Sequence, residues 1–190
     1  MKKFFLALLV ALCGFVSLFA DDIADVKAVI IREFELAAKR DFAGVLALRA
    51  TDFQHITQYG ETYGYDQVKW MLLALDGKHP REYLLFGVFM RSGGDLPAQE
   101  LYTKTLSPEL LKTYEKMWPK LAADFADSAK FMLKTLKFVS VTVDGDKAVV
   151  VIEYDSKGEM LWEVYHFIET VCLRKVNGKW LMYRCIVKNK

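Results

Sequence analysis

Three turn signals constrain this chain more than any other feature. Asp144-Gly145, Asp155-Ser156-Lys157-Gly158 and Asn177-Gly178 separate runs rich in β-branched and aromatic residues. Gly, Asn and Asp tolerate the backbone that tight hairpins need, so such runs pair antiparallel. The spacing predicts strands over 136–143, 147–154, 160–175 and 179–188. With a two-residue turn at Asp144-Gly145, Val139, Val141, Ala148, Val150, Ile152 and Tyr154 share one face. Pairing across the next turn adds Trp162, Val164 and His166 to it. Glu163 and Glu169 then take the opposite parity, toward solvent or a partner, with Tyr165 and Phe167 on the convex side. The shared face is apolar and calls for helices against it.

The N-terminal half has a different period. Ile23, Val26, Ile30, Phe34 and Ala37 recur at three and four, which predicts an amphipathic helix over 22–39. A second helix is expected over 42–50 after Asp41, and a third over 67–75 with Asp66 near its N-cap. Between them Phe53, His55, Thr57 and Tyr59 alternate with other residues, as in a short strand. Residues 82–90 read as a further strand. Ser107-Pro108-Glu109 is a helix start, and Pro119 is expected to break or restart that helix.

The first twenty residues, MKKFFLALLVALCGFVSLFA, have the charged start, apolar run and small-residue end of a removable secretory signal. The run is interrupted by Gly14 and Ser17 and falls short of the roughly 20 apolar residues that span a bilayer. Leu12 is bulky where lipoprotein signals carry a small residue, which argues against a lipid anchor at Cys13. The working protein is therefore expected over 21–190 as one domain, exported to the periplasm or secreted, with no membrane span. The formal charge of +2 comes from Lys2 and Lys3, so 21–190 is neutral. That balance speaks against nucleic acid, which needs clustered Lys and Arg. A hydrophobic content of 53% with 26% charged residues fits a folded chain rather than a disordered one. Cys172 and Cys185 flank the Asn177-Gly178 turn. They form either a diagonal disulfide or two buried free thiols, and a one-residue change in the loop would put them on opposite faces.

Four stretches carry a resemblance. Ala37-Ala38-Lys39-Arg40-Asp41 resembles a helix end and "-xD" step. Thr51-Asp52-Phe53, with Gly60 and Gly64-Tyr65-Asp66, resembles a strand, turn and helix start. Asp144-Gly145-Asp146-Lys147-Ala148-Val149-Val150 and Asn177-Gly178-Lys179-Trp180 look like the "gd-Ala-hydrophobic" strand and the closing "nGkW" hairpin. In this order they resemble the nuclear transport factor 2-like superfamily, with its ketosteroid-isomerase-like and SnoaL-like domains. The resemblance implies an α+β fold: a cone-shaped, curved antiparallel sheet packed on N-terminal helices, with a pocket between them. The departure is a helical insertion at about 76–135, longer than the family usually has there. No single activity follows, because this fold hosts isomerases, dehydratases, ligand binders and adaptors.

The candidate pocket residues are His55, Tyr59, Tyr154, Trp162, His166 and Tyr183. Imidazole titrates near neutrality and suits a general base, whereas a half-buried histidine can equally be structural. A tyrosine with an acid can hold an oxyanion and move a proton. No spacing pins such a pair, so no catalytic residue is assigned. No HxxxH, CxxC, Gly-rich phosphate loop or G-x-S-x-G motif is present, and no metal or cofactor is implied. The leading expectation is an exported protein that binds a small, largely apolar molecule. The alternatives are an isomerase- or dehydratase-type enzyme using a pocket histidine with a tyrosine or acid, and an interaction module, including a homodimer.

Overall fold

The structure is a computed structural model that describes residues 21–82, 108–157 and 164–190. Helix α1 covers 21–38 and buries Val26, Ile30, Phe34 and Ala37, the residues that recur at helical spacing. Arg40 takes a left-handed backbone (φ 61°) and stops it. Asp41 then caps α2 (Phe42–Ala47), its carboxylate accepting from the Gly44 N–H at 2.9 Å. Fully burying a residue such as Ile30 or Phe42 stabilises the fold by about 1.5–3 kcal/mol. Strand β1 (Arg49–Ile56) follows, then β2 (Thr62–Gly64) and α3 (Tyr65–Ala74). The Gln67 side chain, not Asp66, ties the start of α3, accepting from the Gly64 N–H at 3.0 Å.

One long helix, α4 (Pro108–Thr135), occupies the described C-terminal part of the 76–135 stretch. Pro119 lies inside it and does not break it. Proline removes one helical hydrogen bond, at about 3 kcal/mol, but burial continues on both sides, at Tyr114 and at Ala122, Ala126 and Ala129. The three alanines let the helix approach the sheet closely. Ser128 Oγ lies 2.9 Å from Ser156 Oγ, and Phe125 meets Phe42 edge-on at 5.7 Å. Gly77 (φ +77°), in the loop after α3, lies under the Trp118 ring. Glu82 is helical rather than extended, and the rest of 82–90 lies outside the described residues.

Among the described residues the sheet has six strands in the order β2-β1-β6-β5-β4-β3, with β3 (Lys137–Asp144), β4 (Lys147–Ser156), β5 (Tyr165–Val176) and β6 (Lys179–Asn189). It is curved and open, and every pairing is antiparallel except β1 with β6. The inner face of β4 alternates strictly, burying Ala148, Val150, Ile152 and Tyr154.

Three expectations about strand faces are corrected. A register shift between Phe138 and Ser140 leaves Val139 unpaired and 56% exposed, while Phe138 turns inward. Across β4 and β5, Tyr154 stands opposite Phe167 and Ile152 opposite Glu169. Glu169 and Phe167 therefore share the inner face, and His166 shares the outer one with Asp155. The turn signal did not set this register, because β5 begins only at Tyr165. In β5 and β6 the turn pair Val176–Lys179 holds, but a second shift makes Cys172 face Arg184 and Cys185 face Val171. The two cysteines thus point to opposite faces, and both are free thiols.

Candidate functional site

Five elements send polar side chains to one region of the interior. Glu33 comes from α1, Arg49 and His55 from β1, Tyr154 from β4, Glu169 from β5 and Cys185 from β6. The Arg49 guanidinium pairs with the Glu33 carboxylate, donates to the Val45 carbonyl at 2.7 Å and lies over the Phe53 ring. Its Nε makes no hydrogen bond. The Tyr154 hydroxyl donates to Glu169 at 2.9 Å.

One guanidinium thus stands among two carboxylates. Burial, and then the charge of Glu33, push the Glu169 carboxyl up to about 7. Burial and the neighbouring Glu169 hold the Tyr154 phenol well above its ordinary range, and the same two influences raise the Cys185 thiol. Burial, helped by the Arg49 charge, brings His55 down to about 4, so its imidazole is neutral at pH 7. It stacks on Tyr63, with ring centroids 6.4 Å apart.

A cavity of about 430 Å³ opens where the C-terminal end of α4 meets the ends of β3, β4 and β5. Leu136, Tyr154 and Phe167 form its apolar part, and the two rings lie 5.8 Å apart. Asp155 and His166 line it as well, with His166 Nδ1 2.6 Å from Asp155 Oδ1. A second groove, of about 460 Å³, runs along α1 past Val29, Ile31 and Leu48. Its only charged lining groups, Arg32 and Glu35, pair with each other at 3.7 Å.

Of the expected pocket residues, the structure brings Tyr154 and His166 to the cavity and places His55 in the interior cluster. Tyr59 is 79% exposed in the turn after β1. Tyr183 lies against the Arg174 guanidinium, 5.6 Å away, and Arg174 in turn binds Asp52 on the outer face with both amino groups, at 2.9 and 2.5 Å. Trp162 lies outside the described residues.

No family model matches the chain, and no curated protein matches it in sequence. Solved structures do match in shape. A nuclear transport factor 2-like protein with a cystatin-like fold from Novosphingobium aromaticivorans superposes with a TM-score of 0.53 at 12% identity, covering 94% of this chain and 87% of that one. A protein of unknown function from Mycobacterium tuberculosis gives 0.50 at 12% identity, with 92% and 75% covered. This chain has the nuclear transport factor 2-like fold.

The nuclear transport factor 2-like fold accounts for the curved sheet and the helices packed on it. Sequence reasoning passed over Glu33, Arg49 and the inward placement of Glu169. Glu33 carried a signal: it falls three residues after Ile30 and four before Ala37, on the apolar stripe of α1. Glu169 carried one too, since it alternates with Phe167, Val171 and Leu173. Arg49 carried none. Among the described residues no group of three or more His, Cys, Asp and Glu could hold a metal ion, and no helix is long and apolar enough to cross a membrane. The fold is compatible with a ligand-binding domain.

Proposed function

We propose that this chain is a small-ligand-binding protein and that the cavity at the ends of β3, β4 and β5 is its site. The observation that carries this is the cavity itself. At about 430 Å³ it has the size of small-molecule sites, with an apolar part at Leu136, Tyr154 and Phe167 and polar groups at the rim. A binding role is favoured over catalysis because the Tyr154 hydroxyl is committed to Glu169. His55, moreover, does not line the cavity that His166 lines. A thermal-shift screen with hydrophobic small molecules tests the reading. Stabilisation by some of them, lost on Phe167→Asp, supports it; no stabilisation by any overturns it.

The N-terminal segment supports export as part of the same proposal. N-terminal sequencing of protein recovered outside the cytoplasm would then begin at Asp21. Association into a homodimer would use the exposed residues Val139 and Val149, and light scattering reads it directly.

A further inference from the structure

Two ammonium groups that line the cavity form no ion pair among the described residues, and this bears on what it binds if the ligand-site reading above holds. Two acids line the cavity and both are engaged. Glu153 accepts from Lys190 at 2.8 Å, and Asp155 holds His166 at 2.6 Å. Glu153 also stands directly opposite Lys137 in the β3–β4 ladder, so one carboxylate faces two ammonium groups. Lys134 adds another ammonium from the last turn of α4. The carbonyl end of that helix offsets only about half a charge. Lys134 and Lys137 are exposed, and among the described residues neither forms an ion pair.

We infer that the cavity takes a small organic monoanion, its apolar body on Leu136 and Phe167 and its carboxylate reaching Lys134 and Lys137. Two flexible point charges suit a single carboxylate. A phosphate is usually cradled by a row of backbone N–H groups or a helix N-terminus. Here α4 presents its C-terminal end.

The test is calorimetric titration of the protein with three probes of one shape: 3-phenylpropionate, 3-phenylpropionamide and 3-phenylpropylammonium. The carboxylate is expected to bind about tenfold more tightly than the amide, and the ammonium most weakly. Replacing both lysines (Lys134→Ala with Lys137→Ala) should abolish that preference by weakening the carboxylate far more than the amide, and exposed lysines are removable without loss of fold. Equal binding of carboxylate and amide, or tighter binding of the ammonium, overturns the anion inference and leaves the ligand site standing. Failure of all three probes overturns both.

Discussion

The Tyr154 hydroxyl donates to Glu169 at 2.9 Å, joining the cavity wall to a buried carboxyl that shares one arginine with Glu33. Glu169 titrates near 7 instead of its usual 4.5. An acid raised in this way stabilises the folded state fully below pH 4.5, and the contribution is lost as pH rises through about 7. The loss amounts to about 3 kcal/mol. With His55 replaced by Gln, so that its opposite slope is absent, Glu169→Gln should remove this falling limb from a plot of unfolding free energy against pH. A limb that persists in the variant would show that another group causes it.

His55 slopes the other way. Its pKa falls from 6.5 to about 4, so its contribution is present above 6.5 and is lost as pH drops toward 4. Between about 4.5 and 6.5 the two groups oppose each other, and wild-type stability should be nearly flat there. His55→Gln should unmask the decline due to Glu169, and Glu169→Gln the rise due to His55. Urea denaturation at half-unit pH steps reads both slopes. If the two variants give parallel curves, the opposition is absent.

Arg49 holds Glu33 in a half-buried setting. Arg49→Ala leaves that carboxylate without its cation and should cost about 3–5 kcal/mol. The pair Arg49→Ala with Glu33→Ala should cost less than the sum of the single changes. Additive costs in the double-mutant cycle would mean that the two residues do not interact.

A methyl group on Gly77 would come within 2.5 Å of the Trp118 ring, at a backbone φ of +77° that side chains rarely adopt. Gly77→Ala should therefore destabilise by roughly 1–3 kcal/mol. Adding Trp118→Leu should recover part of this, since it relieves the clash and leaves the backbone strain. Full recovery would assign the whole cost to the ring.

Cys172 is half-buried on the outer face and Cys185 is buried on the inner one. A thiol reagent should label one cysteine in the folded protein and the second only after unfolding. Reductant should leave the melting temperature unchanged. A drop on reduction would require a bridge that this register does not permit.

The turns were legible because Asn, Asp and Gly report backbone conformation directly. The inner face of β4 was legible because Ala148, Val150, Ile152 and Tyr154 alternate without interruption. Side-chain facing failed where a single residue changes the phase. The register shifts at Val139 and between Cys172 and Leu173 have no composition of their own; the first turns Val139 out and Phe138 in while Val141 keeps its inner place, and the second reverses the later assignments on β6. The start of β5 at Tyr165 had the same effect on His166 and Glu169. The site was less legible than the fold for that reason: Tyr154 lies on an uninterrupted strand, whereas Tyr183 and Cys185 follow a bulge. Pro119 misled for a different reason, since a local penalty was outweighed by packing on both sides of it.

The parallel pairing of β1 with β6 has a consequence for how the molecule comes into being. Apart from the three-residue β2, the only neighbour of β1 is a strand more than 120 positions later in the chain. Until Lys179–Asn189 has been synthesised, β1 has no long partner and β5 lacks one of its two neighbours. The N-terminal helices can form early, but the surface they must cover is completed last. The meander of β3, β4 and β5 can pair locally, whereas the sheet under the N-terminal helices closes only in a long-range step that joins β1 to β6.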